Sequence, residues 1–242
     1  MHDSTKRQKD DLRFLLKDKY HFSEIQVEEI LSGGNESLLS EELKKDINLL
    51  KSGYPLDYII GYTDFLGLKI NLNHRPLIPR PETEFWTEKI INSINKENRL
   101  NILDVFCGSG CIGLALLKNF PNANCTFSDI NPDFLSQTKQ NADINSINQK
   151  RIELIESDVL DRINGKFDLI VANPPYVSKH DVVGESIRHE PKGAIFAHQN
   201  GFELIDRFLQ GAQNYLNYEG RIFMEFGESQ KDGVEELLRK YK

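Results

Sequence analysis

Between Asp10 and about Gly53 the apolar residues recur at helical spacing. Leu12, Leu15, Leu16 and Tyr20 share one face, and Leu43, Ile47 and Leu50 mark a later helix. Between them Ser23 and Gln26 form a capping-box pattern ahead of Val27, Ile30 and Leu31, and Gly33-Gly34 stops that segment. The Glu41-Glu42 and Lys44-Lys45 charges read as a solvated helix face. From Tyr54 to Arg80 the pattern changes: Pro55, Gly61 and Gly67 punctuate the chain, and Leu68, Ile70 and Leu72 alternate with polar residues, which predicts a β-hairpin. Pro81 then opens a helix with Glu82 and Glu84 in its first turn and Phe85, Trp86, Ile90, Ile91 and Ile94 as its apolar side.

Beyond Asn98 strands and helices alternate. Residues 101–106, 124–129, 152–156, 167–172 and 221–226 read as strands, with helices near 112–119, 132–142 and 201–216 and a last one over 234–241. Such alternation predicts an α/β fold with a parallel sheet covered on both faces. The pattern divides the chain into helices over 1–53, a hairpin linker over 54–80 and an α/β domain over 81–242.

The most informative stretch is Phe167 to Tyr176, an apolar run that ends in Asn173-Pro174-Pro175-Tyr176. Its composition suits a buried central strand, which Pro-Pro terminates because proline offers no N–H to the ladder. Ligands bind beyond the carboxyl ends of strands in open α/β sheets, so this turn lies where a site is expected. Each proline fixes its own φ and restricts the residue before it, so the Asn173 side chain and the Pro174 carbonyl are held in set directions. Two acceptors so fixed suit an –NH2 group.

Composition narrows the class. The 242 residues are 39% hydrophobic and 28% charged, enough for one ordinary core with a small appendage. No apolar run approaches the roughly 20 residues of a membrane span, and the N-terminus leads into a polar amphipathic segment with no signal-peptide core, so the expected location is cytoplasmic. The formal net charge of −7 argues against a broad nucleic-acid surface. Cys107, Cys111 and Cys125 lack zinc-site spacing and read as reduced, mostly buried thiols; the scattered histidines give no metal site.

Three carboxylates fall at successive strand ends. Asp104 precedes Phe106-Cys107-Gly108-Ser109-Gly110, a glycine turn that lets backbone approach a ligand. Gly108, Gly110 and Gly113 also fit a loose Gly-x-Gly-x-x-Gly. Asp104 there can bind a cationic amino-acid ligand or orient the loop. Asp129 can accept from both hydroxyls of a ribose, and Asp158 can accept from an adenine amino group with Val159 over the ring. Singly each is a common loop or cap residue; together they favour a nucleoside ligand.

The Asp104–Gly110 loop, Asp129, Asp158 and the Asn173–Tyr176 turn resemble a class I S-adenosylmethionine-dependent methyltransferase, with its Rossmann-like parallel sheet. Ile78-Pro79-Arg80-Pro81-Glu82-Thr83-Glu84, His189-Glu190-Pro191 with Ala194, Asn200-Gly201, and Glu225-Phe226-Gly227 with Gln230 narrow the resemblance to the PrmC/HemK protein-(glutamine-N5) methyltransferases. It runs from about Tyr54 to Gln230. It implies methylation of the glutamine amide in the Gly-Gly-Gln loop of class 1 peptide-chain release factors, in support of translation termination. The cofactor would be S-adenosylmethionine, held by Asp104, Phe106, Cys107, Gly108, Ser109, Gly110, Asp129, Asp158, Val159 and Asn173. The helices over 1–53, where the resemblance is only architectural, are too few to bury much apolar area and are expected to dock on the rest of the chain or to recognise substrate. The substrate amide would lie against Asn173, Pro174, Pro175 and Tyr176, with Asn173 Oδ1 and the Pro174 carbonyl accepting from its –NH2.

Two departures shape the expectation. The family loop usually begins with glycine where this chain has Phe106, and the chain stops where the family normally adds two strands, so an abbreviated sheet with an open edge is expected. Adenine-N6 and guanine-N2 nucleic-acid methyltransferases share the Asn-Pro-Pro-Tyr turn; the acidic balance and the Pro79–Glu84 stretch favour the protein substrate. A non-catalytic cofactor-binding scaffold is the remaining alternative, against which the intact turn speaks.

Overall fold

The computed structural model describes residues 2–34, 36–179, 181, 184 and 186–241. They form two compact units: one holds the chain up to Tyr62 with the turn Ser186–His189, and the other the chain from Thr63 and again from Glu190.

The first unit is helical. Helix α1 (His2–Asp18) starts ahead of the Asp10 that apolar spacing indicates, because residues 3–9 are all polar and show no periodicity. Helix α2 (Glu24–Leu31) has the expected reciprocal cap, with Ser23 N–H donating to Gln26 Oε1 at 2.9 Å and Gln26 N–H donating to Ser23 Oγ at 3.4 Å. Helix α3 (Glu41–Lys51) starts on Ser40, and a short α4 (Leu56–Ile60), not foreseen from the pattern, ends at the left-handed Gly61. Leu15, Leu50 and Ile59 form one buried cluster and Leu16, Val27 and Leu43 another. Beside them the buried carboxylate of Asp46 accepts from Lys19 Nζ at 2.6 Å and the Tyr20 hydroxyl at 2.7 Å, which replaces the water it gives up.

The expected hairpin consists of β1 (Tyr62–Phe65) and β2 (Leu68–Asn71), joined through Leu66 and Gly67, both at positive φ as a two-residue turn of the right twist requires. Helix α5 (Pro81–Ser93) begins at its proline, and the Glu84 carboxylate accepts from Leu66 N–H at 2.7 Å. Ile90 and Ile91 are buried as expected, but Phe85 is 61% exposed, and Thr83 and Thr87 take the buried face.

The alternation then runs β3 (Asn101–Val105), α6 (Cys111–Asn119), β4 (Asn124–Asp129), α7 (Pro132–Ile144), β5 (Ile152–Glu156) and β6 (Phe167–Ala172). It continues through β7 (Val177–Ser178), α8 (Lys192–Ile195), β8 (Phe196–Ala197), α9 (Glu203–Ala212), β9 (Leu216–Met224) and α10 (Lys231–Lys240). The five long strands are parallel in the order β5-β4-β3-β6-β9. Along β3 the side chains alternate: Leu103 and Val105 pack with Ile205, Phe208 and Leu209 of α9, while Asp104 faces α6. Both sheet faces are therefore covered, and among the described residues no strand pairs with the outer side of β9.

One strand differs from expectation. Strand β9 starts at Leu216 and ends at Met224, whereas apolar spacing indicates 221–226. Phe167 pairs with Leu216 and Leu169 with Arg221, so the single residue between them on β6 faces four on β9. Glu219, at φ +63, and Gly220 occupy this bulge, which in sequence looks like a turn before a strand. The helix expected over 201–216 is accordingly shorter, and Glu225 and Phe226 lie just past the strand.

The backbone of β2 is satisfied by a row of amides one helical turn apart on α7. Asn145 and Asn141 each bond both N–H and C=O, of Lys69 and Asn71 respectively, and Gln137 Oε1 accepts from His74 N–H. A helix face thus stands in for a neighbouring strand.

Candidate active site

The chain leaves β3 for β4 and β5 on one side and returns to β6 and β9 on the other, so the order reverses beside β3. A crevice opens past the carboxyl ends at such a point. Here it is a cavity of about 430 Å³ lined by Phe106, Gly108, Asp129, Asp158, Val159, Asn173 and Pro175 among the residues singled out from sequence. Leu77, Ile130, Phe134, Ala194 and Leu204 add apolar walls. Such a volume, mostly apolar with a few polar groups at fixed points, suits a small ligand.

Asp129 is held at both carboxylate oxygens. Its Oδ2 accepts from Gly108 N–H and its Oδ1 from Asn131 N–H, each at 2.9 Å, which leaves a lone pair on each oxygen for a ligand hydroxyl. Burial raises its pKa, against the backbone N–H groups of Asn131, Gly108 and Ile130, which lower it. Asp158 Oδ1 accepts from Arg207 at 3.0 Å. Ser128 also lines the cavity, and its buried Oγ has no hydrogen-bond partner among the described residues, a group that a polar ligand atom could satisfy.

Left-handed backbone recurs in the turns beside the cavity. Phe106 stands at φ +60 and Val159 at φ +53, with Gly108 at +54 and Gly110 at +76. The left-handed value at Phe106 explains why the resembling family places glycine there. Its ring is held edge-on against Phe208 at 6.3 Å.

Other residues named from sequence lie away from the cavity wall. Cys107 and Ser109 are buried behind the loop, and the Ser109 carbonyl accepts from Asn141 Nδ2 at 2.9 Å. Gly110 packs so tightly on Thr138 that a Cβ would lie 2.6 Å from it. Asp104 is fully buried: its Oδ2 accepts from Gly113 N–H at 2.9 Å and its Oδ1 has no partner among the described residues. Pro174 is buried and Tyr176 half-buried, outside the cavity lining. All three cysteines are free and buried, and among the described residues no cluster of His, Cys, Asp and Glu gathers to hold a metal.

Burial, reinforced by the charge of Asp129 and opposed by Gly113 N–H, lifts the Asp104 carboxyl from 3.8 to about 7. Between those values the folded protein binds more protons than the unfolded chain, so this group favours folding most below about pH 4 and its contribution fades as pH rises through 7. At roughly 1.4 kcal/mol per pH unit the upper limit is about 4 kcal/mol. Asp104→Asn, still able to accept from Gly113, is expected to flatten the fall in melting temperature between about pH 4 and about pH 7. Parallel slopes in the two proteins would show that another group titrates.

The turn after β6 depends on residues that sequence motifs pointed to without giving them a role. Glu225 follows β9, with its N–H bonded to the Ala172 carbonyl at 3.0 Å, and so lies next to Asn173. Its Oε2 accepts from Thr83 Oγ1 at 2.6 Å, Trp86 Nε1 at 2.8 Å and Asn173 Nδ2 at 3.2 Å, and its Oε1 from the Tyr176 hydroxyl at 3.1 Å. Burial, with the adjacent Glu225 charge, keeps the Tyr176 phenol protonated by raising its pKa. Arg80 is held by the buried Glu190, which also accepts from Ile78 N–H. The signal for Glu225 was its place at a strand end beside β6, visible once strand order is known.

Comparison with known proteins agrees with this geometry. The family model of the methyltransferase small domain matches residues 82–192. The fold is that of a methyltransferase from Pyrococcus furiosus (TM-score 0.55, 19% identity, 81% of this chain and 86% of that one). It is also that of a ribosomal protein L11 methylase from Lactobacillus delbrueckii subsp. bulgaricus (TM-score 0.51, 23% identity, 68% and 70%). In sequence the chain is 40% identical over 190 residues to the release factor glutamine methyltransferase of Streptococcus pneumoniae, covering 77% of this chain and 67% of that protein. It is 37% identical over 205 residues to the enzyme of that name from Lactococcus lactis subsp. lactis, covering 84% and 73%. With a parallel sheet, a strand-end cavity and an Asn-Pro-Pro-Tyr turn in place, the chain belongs to the release factor glutamine methyltransferase family.

Proposed function

We propose that this protein transfers a methyl group from S-adenosylmethionine to the side-chain amide nitrogen of the glutamine in the Gly-Gly-Gln motif of class 1 peptide-chain release factors. The observation that carries the reading is that one cavity joins Asp129 and Asp158 at strand ends to Asn173 and Pro175 of the turn. Gly108 supports a cofactor there, since among the described residues only Pro76, at 3.9 Å, approaches the space a side chain would fill. When bound, S-adenosylmethionine supplies a methyl group on a positively charged sulfur.

The chain's own part is orientation. Asp129 and Ser128 would hold the polar edge of the cofactor, and Phe106, Ile130 and Leu204 would exclude water from its apolar parts. An amide nitrogen is a poor nucleophile because its lone pair is delocalised. Asn173 Oδ1 and the Pro174 carbonyl would accept from the two N–H bonds of the substrate –NH2, fix the nitrogen in line for attack and stabilise the positive charge that grows on it. The proton then leaves to solvent. The helical unit would recognise the protein substrate, in the cytoplasm where translation terminates.

Incubation with a release factor, an oligonucleotide and S-adenosylmethionine, followed by mass spectrometry, tests the reading. One methyl on the Gly-Gly-Gln glutamine is the expected result. A methyl on the oligonucleotide alone would transfer the protein to the nucleic-acid enzymes.

A further inference from the structure

We propose that Glu225 is the positioning residue that sets which way the Asn173 amide faces, and that its effect on methyl transfer runs through Asn173. The proposal rests on the reaction given above. An asparagine amide has two prongs of similar size, one a donor and one an acceptor, and the scheme works only with the acceptor toward the substrate. Something must choose between the two.

Glu225 makes that choice because its carboxylate offers acceptors only. With Nδ2 toward it at 3.2 Å, Asn173 donates; the reversed amide would set Oδ1 against a negative oxygen. Thr83 makes the selection stricter. Its hydroxyl lies 3.3 Å from Asn173 Nδ2 and could serve either prong, as acceptor or as donor. Its one proton, however, is committed to Glu225 at 2.6 Å, so toward Asn173 it can only accept. Both contacts of the amide therefore demand its –NH2, and Oδ1 is directed the other way.

Glu225 is itself held from three sides. Thr83 and Trp86 reach it from α5, Tyr176 from the far end of the turn, and its own N–H is bonded to Ala172, one residue before Asn173. Four donors, three on Oε2 and one on Oε1, hold this carboxylate at both oxygens, which leaves it little freedom to turn. Trp86 and Thr83 belong to the helix that Pro81 opens, so the Pro79–Glu84 stretch and the Glu225-Phe226-Gly227 stretch meet on one amide.

The test compares Glu225→Ala, Glu225→Gln, Asn173→Ala and the double variant Asn173→Ala/Glu225→Ala. It uses cofactor affinity by calorimetry, kcat and KM for a release factor, and the side-chain amide signals of Asn173 in a nitrogen–proton correlation spectrum. Glu225→Ala is expected to lower kcat roughly ten- to a hundredfold, with cofactor affinity changed less than about twofold. Glu225→Gln, whose carbonyl can still accept, should recover part of the loss and serves as the comparison if the alanine variant does not fold. Once Asn173 is alanine, removing Glu225 should cost nothing more, because the group it orients is gone. The Asn173 amide protons should move toward free-amide positions in Glu225→Ala. Additive losses in the double variant, a loss of cofactor binding equal to the loss of turnover, or unmoved Asn173 signals would overturn the proposal. If the unaltered protein methylates no release factor, the substrate reading fails separately, and the Asn173 signals still decide the positioning role.

Discussion

Asn173→Ala is expected to bind cofactor nearly as well as the unaltered protein and to transfer methyl groups roughly 10²–10³-fold more slowly, the scale seen when one fixed polar group facing developing charge is removed. Asn173 is one residue of a wall supplied largely by Phe106, Asp129, Asp158 and apolar side chains, so its loss leaves most cofactor contacts intact. The substrate –NH2, by contrast, loses the one side-chain acceptor assigned to it. Removing the amide also frees Glu225 Oε2 of one donor while Thr83 and Trp86 remain, so the surrounding helix and strand should hold their places. Single-turnover rates with cofactor in excess separate the chemical step from binding. A rate within about threefold of the original would remove Asn173 from the chemistry and return attention to the Pro174 carbonyl.

Much of this site was legible because parallel sheets put chemistry at strand ends. Four of the five long strands were visible as apolar runs, and each leads to residues now found near the cavity, as with Asp129 at the end of β4 and Asn173 after β6. The hidden parts have physical reasons. Strand β9 carries a bulge at Glu219-Gly220, so its first half resembles a turn. The exposure of Phe85 and burial of Thr83 and Thr87 reverse the usual reading of an amphipathic helix, because Thr83 turns inward to bond Glu225 and Thr87 donates to the Thr83 carbonyl at 2.7 Å. The placement of Asp104 behind the loop depends on strand parity, since on β3 it falls on the face toward α6. The row of amides on α7 was unreadable for another cause: a polar stripe looks solvated unless an edge strand is known to lie against it.

Two glycines with similar φ are expected to respond very differently to alanine, and the contrast measures how tightly the Asn173–Tyr176 turn is clamped. Gly67 at φ +74 and Gly201 at φ +86 both occupy the left-handed region, where a Cβ costs on the order of 1 kcal/mol. At Gly67 nothing lies within 4 Å of the added carbon, so that cost should be the whole of it. At Gly201 the carbon would lie 2.0 Å from the Tyr176 carbonyl oxygen and 2.6 Å from Gln230 Nε2. Neither can withdraw freely. Gln230 Nε2 donates to that carbonyl at 3.1 Å and to the Asn200 carbonyl at 3.3 Å, while its Oε1 accepts from Gly227 N–H at 3.0 Å, two residues past Glu225. Relief therefore has to come from the Asn173–Tyr176 backbone or from the segment carrying Glu225. Gly201→Ala is expected to lose roughly 3 kcal/mol or more of stability in denaturant titrations. Its turnover should also fall more than the loss of folded protein explains, whereas Gly67→Ala should retain turnover. Equal stability losses in the two variants would mean that the turn yields without cost. Full turnover in Gly201→Ala would mean that the Tyr176 end of the turn can move without disturbing Asn173, and that the fixed direction of its amide is owed to Glu225 and Thr83 alone.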